Sequence, residues 1–191
     1  SYPQPLDTKK LASKPLFIAS PAKQILEEIN NETKRIIKQK QQILIILPET
    51  SLIEYFYNFL TRFAHKIAVL HGKVPLKKIY TEWNKISSGE AEVIIGTRQA
   101  LFAPFNNLGM IFLEDPVNVA YKSDMTPKYN TASLAEYVSK LYGCALIFSA
   151  CLPDLKSYFN SKESSVQLQA EDNLKKPEIK VSDMVQEIKS G

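Results

Sequence analysis

Glycine is absent from this chain until Gly72, and only six occur in all 191 residues. A loop that wraps phosphates with backbone amides needs glycine where it turns tightly and approaches its ligand. The amino-terminal third therefore carries no G-x-x-x-x-G-K-[ST] phosphate loop. Cysteine is nearly absent as well. Cys144 and Cys151 are the only two, and no Cys/His cluster surrounds them. That argues against a zinc module and for buried free thiols in a reducing cytosol. No apolar run reaches the ~20 residues that span a bilayer. No charged-then-apolar leader opens the chain, so a cytoplasmic location without membrane contact is expected. A strong charge of one sign is lacking too. The formal charge is +4 with 23% charged residues, which is compatible with nucleic acid without requiring it. The opening Ser1-Tyr2-Pro3-Gln4-Pro5 reads as the cut edge of a longer chain. There are no internal repeats.

What is present is a regular alternation of short apolar runs and helical patterns. Leu16 to Ala19 reads as a strand. Ser20-Pro21 then reads as a helix start, with serine as N-cap and proline at the first helical position. Ile25, Leu26, Ile29, Thr33, Ile36 and Ile37 share one face of a helix over about 21–40. Its acids come early and its lysines late, as the helix dipole favours. Ile43 to Leu47 is the next strand, followed by a helix from Ser51 to about Arg62, whose aromatics fill core and groove. Ile67 to Leu70, a helix over 76–87 closed by Gly89, and the runs Val93 to Ile95 and Met110 to Leu113 follow. A helix over 133–141, a strand over 145–149, a short helix near 154–158 and a last strand near 166–168 complete the reading. Strands alternating with helices imply a mostly parallel sheet covered on both faces, an α/β fold.

The central stretch, residues 92 to 122, organises the rest. Val-Ile-Ile-Gly-Thr-Arg-Gln-Ala-Leu-Phe-Ala-Pro-Phe (93–105), Leu-Gly-Met-Ile-Phe (108–112) and Tyr121-Lys122 closely resemble the PriA family of replication-restart DNA helicases. The resemblance covers roughly residues 40 to 158. It implies the first of two RecA-like lobes, a P-loop NTPase-type three-layer sandwich. Residues 1–14 are then an extended leading segment, 15–160 the lobe, and 161–191 a linker toward a second lobe. Val181-Ser182-Asp183-Met184 resembles the family's approach to that second lobe. The family's zinc-binding insertion has no counterpart here.

The resemblance also assigns sites, and the nucleotide sites depart from its pattern. After the first strand stand Ser20-Pro21-Ala22-Lys23-Gln24. Lys23 is read either as the remnant of the phosphate lysine or as a solvated residue of an ordinary helix start. Gln24 takes the place of the hydroxyl that would hold Mg²⁺, for which it is a poor ligand. The family's Asp-Glu-Glu-His, which holds Mg²⁺ and orients water, appears as Glu114-Asp115-Pro116-Val117, so the leading acids are reversed and the histidine is gone. The family's Ser-Ala-Thr-Pro appears as Ser149-Ala150-Cys151-Leu152-Pro153. Pro48-Glu49 matches a further motif without its downstream glutamine. No metal-ligand set is expected; ATP and Mg²⁺ are cofactors only if the altered site still works.

The DNA side matches better. Thr97, Arg98 and Gln99 end a strand where related helicases touch the single-strand backbone, with Arg98 either on phosphate or paired with Glu114. Tyr121 and Tyr129 are expected to stack on bases, with Lys122 and Lys128 on phosphates. His71 reads as a structural residue at a strand end, and the lysine-rich run over 34–40 as a solvated helix face. Three readings stay open. One is a DNA-associated lobe with little or no ATP hydrolysis. Another is an active ATP-dependent 3′-to-5′ helicase lobe that needs its second lobe. The last is a protein-interaction module with no nucleic-acid role. Single-stranded or forked DNA, a second RecA-like lobe and primosome proteins are the expected partners.

Overall fold

The computed structural model describes residues 15–122 and 128–151, and the backbone of strand 167–170. Seven parallel strands form one sheet in the order β3-β4-β2-β5-β6-β1-β7. They are β1 (Leu16–Ala19), β2 (Gln42–Ile46), β3 (Ile67–Leu70), β4 (Val93–Gly96), β5 (Leu108–Glu114), β6 (Ala145–Ala150) and β7 (Gln167–Ala170). The helices are α1 (Ala22–Lys38), α2 (Thr50–Phe59), α3 (Leu76–Ser88) and α4 (Thr131–Tyr142). Short 3₁₀ segments run over Thr61–Lys66, Arg98–Phe102 and Val119–Tyr121.

The continuous apolar runs become strands because a parallel sheet buries both faces. Alternate residues then feed two separate cores. Leu44, Ile46, Ile94, Ile111 and Leu113 pack with Ile86 of α3 and with Ala135 and Val138 of α4. Ile43, Ile45, Ile95, Met110 and Phe112 pack with Ile25, Ile29 and Ile36 of α1 and with Ile53 and Phe56 of α2. The result is the expected three-layer α/β sandwich with a parallel sheet.

Two local contacts fix the strand spacing. A Cβ on Gly96 would lie 2.2 Å from the Leu70 carbonyl oxygen, so only glycine lets β4 lie against β3 there. Gln42 is buried, and its amide is fully used. Its Nε2 donates to the carbonyls of Ile86 and Ala91 at 2.9 and 2.7 Å, and its Oε1 accepts from the amides of Asn106 and Asn107 at 2.8 and 3.1 Å. One side chain thus ties the end of α3 to the turn before β5.

Several expectations shift. Pro21, not Ser20, is the N-cap of α1, and no side chain caps it. Ser20 instead extends β1, its amide donating to the Ala150 carbonyl at 3.2 Å. The helix expected to run to Arg62 stops at Phe59 and passes into the 3₁₀ turn. Within it Phe56 is buried while Tyr55 faces solvent. Gly89 closes α3 at φ 80, as expected. β7 falls within the stretch read as linker and pairs with β1. Cys144 is buried, but Cys151 is exposed, against the expectation of two buried thiols. The expected helix near 154–158 and the segment 181–184 lie outside the described residues. No described helix is long and apolar enough to cross a membrane.

Candidate functional site

In an all-parallel sheet, ligands bind beyond the carboxyl ends of the strands. All the sequence-assigned residues with described side chains lie at that end or in the loops leaving it. The nucleotide half is the first to depart from what a phosphate site needs. β1 stops at Ala19 and α1 starts at Ala22, so Ser20 and Pro21 are the whole connection. Two residues cannot encircle a phosphate, and Pro21 has no amide to offer one. Lys23 is exposed on the first turn of α1, and Gln24 beside it is half-buried.

The acid pair is present at the end of β5, but both carboxylates are engaged. Glu114 is the last residue of β5, in register with Ser149 on β6. The buried Ser149 hydroxyl donates to Glu114 Oε2. Burial pushes the Glu114 carboxyl up to about 7; the serine hydrogen bond opposes that rise, and the neighbouring Asp115 charge adds to it. Asp115 lies in the left-handed region at φ 49, which a short polar side chain tolerates. Asn118 Nδ2 donates to Asp115 Oδ2 at 2.9 Å. Among the described residues, no group of three His, Cys, Asp or Glu side chains is placed to hold a metal ion.

Arg98 does not pair with Glu114; its guanidinium turns to the loop after β5. Its Nη1 donates to the backbone carbonyls of Ala120 and Lys122 at 3.1 and 2.9 Å. Arg98 thus clamps that loop. Tyr121 is also corrected as a stacking residue. It is 1% exposed, so it offers no face to a base. Its hydroxyl sits between the carbonyls of Glu114 and Ile46, at 2.7 and 3.2 Å, and ties β5 to β2. Burial, then Glu114 and Asp115, raise its phenol well above the ordinary range.

The other residues that the resemblance assigned to DNA lie near one another. Lys122 pairs with Asn130 in an antiparallel bridge, and Thr131 Oγ1 donates to the Tyr121 carbonyl at 3.0 Å. The Tyr129 ring meets Phe102 edge-on, with centroids 5.7 Å apart. Thr97 is half-buried, whereas Gln99, Lys122 and Lys128 are exposed. Residues 97–102, 119–122 and 128–131 therefore form one continuous surface.

Sequence reasoning missed the Ser149–Glu114 contact and the clamp made by Arg98. The first could be read only with the sheet order in hand, since the two residues stand on neighbouring strands far apart in sequence. The second joins a side chain to main-chain carbonyls, which leave no residue-type signal.

No family profile matches the chain. It is 28% identical over 163 residues to the replication restart protein PriA of Bacillus subtilis, covering 83% of this chain and 20% of that protein. It is 32% identical over 120 residues to PriA of Synechocystis, covering 62% and 14%. It is 30% identical over 135 residues to PriA of Haemophilus influenzae, covering 70% and 18%. The chain thus spans a fifth or less of the length of these relatives. Among solved structures, the C-terminal domain of S. cerevisiae Dbp5 superposes with a TM-score of 0.57 at 12% identity, covering 82% of this chain and 89% of that one. Domain 2 of the DEAD-box helicase Mss116p gives 0.57 at 13% identity, covering 84% and 65%. The helicase MrfA gives 0.55 at 10% identity, covering 80% and 24%. At such identities these likenesses speak for the fold alone. Sequence and fold agree: the chain resembles a segment of the replication restart proteins PriA, folded as a RecA-like lobe.

Proposed function

We propose that this chain is the first of two RecA-like lobes of a cytoplasmic, DNA-associated protein of replication restart, and that it hydrolyses ATP little or not at all. The observation that carries the reading is the two-residue connection between β1 and α1, which leaves no backbone cradle for phosphates. The acid pair supports it. An acid that holds Mg²⁺ or activates water works as the ionised carboxylate, yet Glu114 is half-buried against Ser149 with its carboxyl pushed up to about 7.

DNA is the proposed ligand because Gln99, Lys122 and Lys128 stay exposed on a surface that also carries Phe102 and Tyr129. Two of the relatives in fold were solved with nucleic acid, Mss116p with an RNA duplex and MrfA with DNA. In this reading Arg98 contributes by holding the loop that presents Lys122, not by touching phosphate. A second lobe and primosome proteins are the proposed partners. The retained acids at the end of β5 favour one further reading, an active lobe completed by its second lobe.

Labelled single-stranded DNA, titrated at low and moderate salt, tests the DNA reading. Binding should weaken steeply with salt, with a slope set by the phosphates neutralised. Salt-independent binding, or none at low salt, overturns it. In the same format, fluorescent ATP analogue with Mg²⁺ should fail to bind. Tight binding abolished by Lys23→Ala would move the chain to the active reading.

A further inference from the structure

An apolar pocket of about 220 Å³ opens at the carboxyl ends of β3 and β4, lined by Leu70, His71, Ile79, Trp83, Gln99 and Phe102. Sites that enclose whole small molecules occupy roughly 300–1,000 Å³, so this one suits a single ring system. Its aromatic walls face solvent: Trp83 is 38% exposed and Phe102 56%. Single exposed rings are ordinary on a protein surface; two that line one pocket offer a flat ligand a place to pack.

Two features favour an anionic occupant over an apolar one. Lys73 and Lys78 stand close enough to His71 that their charges, after burial, hold its imidazole below the usual range. Both lysines are exposed. The Lys73 backbone amide also donates to His71 Nδ1 at 3.3 Å. In the neutral ring the proton then sits on Nε2, a donor available to a ligand. The Gln99 amide lies over Gly72, close enough that a Cβ there would be 3.6 Å from its Nε2. An amide and an imidazole N–H at the mouth of an aromatic slot can meet the edge of a base, while the lysines meet the flanking phosphates.

We propose that this pocket receives one unstacked base of a single-stranded nucleic acid between Trp83 and Phe102, with Lys73 and Lys78 holding the adjoining phosphates. The inference rests on the DNA reading above and gives it a base-binding subsite. It extends the strand's path from Lys122, Lys128 and Tyr129, across the Tyr129–Phe102 contact, toward α3.

Trp83 is the only tryptophan, so its fluorescence reports on this pocket alone. The test titrates the chain with labelled oligo-dT of about 16 nucleotides, reading anisotropy and Trp83 emission together. The same affinity should emerge from both signals. Phe102→Ala should weaken binding between about fivefold and about 150-fold, the range to which stacking contributions convert. On the unaltered chain, a strand of abasic sites should bind with a similar loss and without the Trp83 response. Normal anisotropy with unchanged Trp83 emission, or equal affinity for the abasic strand, overturns the pocket and leaves the DNA reading intact. No anisotropy change at any salt overturns both. A Trp83 response to a phenylalanine-containing peptide but not to the strand overturns the pocket in favour of a protein side chain.

Discussion

Replacing Glu114 with glutamine isolates the electrostatics at the end of β5. The wild-type carboxyl rises from 4.5 to about 7, first because burial penalises its charge. Between those values the folded chain keeps a proton that the unfolded chain has shed. Stability therefore falls as pH rises through the window and levels off above it. At ~1.36 kcal/mol per pH unit the fall amounts to about 3 kcal/mol. The substituted glutamine would not titrate, and its amide oxygen still accepts from Ser149. The stability of Glu114→Gln relative to wild type should therefore improve by about 3 kcal/mol between pH 4 and pH 8. For a domain of this size that corresponds to roughly 6–12 °C in Tm. Thermal unfolding of both proteins at the two pH values reads the difference directly, and other titrating groups cancel because both proteins share them. A difference that stays constant with pH, or moves the other way, would refute the buried, proton-holding Glu114. It would also remove one of the two supports for weak hydrolysis.

Other outcomes follow from single contacts. Gln42→Leu removes four hydrogen bonds, although the Ile86 carbonyl keeps the Gly89 amide, and should cost about 4 kcal/mol, at ~1 kcal/mol per bond. Urea unfolding measures it, and a loss under about 1 kcal/mol contradicts the four-bond role. Arg98→Ala should lower stability by about 1–2 kcal/mol, since one of its two charge-assisted bonds is half-buried and the other exposed. Amide exchange in the loop after β5 should quicken with it. Unchanged stability and exchange, with DNA affinity alone lost, would assign Arg98 to phosphate instead.

The sequence carried the layered fold because burial on both faces writes each central strand as an unbroken apolar run, as in Ile43 to Leu47 and Val93 to Ile95. Gly89 was legible because a left-handed closing residue favours glycine. Element ends were less so: Pro21 suits N-cap and first helical turn alike. The site was harder to read. An aromatic beside a lysine looks the same in sequence whether its ring stacks on a base or, like Tyr121, bridges two buried carbonyls. Gln42 reads as a polar residue ahead of a strand until the turn at Asn106 and Asn107 folds onto it. The pocket walled by Trp83 and Phe102 joins a helix with residues from two separate strand ends, which only the sheet order brings side by side.

With only Ser20 and Pro21 between them, β1 and α1 leave no cradle for phosphates. Equilibrium binding of a fluorescent ATP analogue, with and without Mg²⁺, tests it most directly, with a lobe bearing an intact phosphate loop run alongside to establish the signal. No saturable binding is expected, and no effect of Mg²⁺ or of Lys23→Ala. Saturable Mg²⁺-dependent binding that Lys23→Ala abolishes would contradict it.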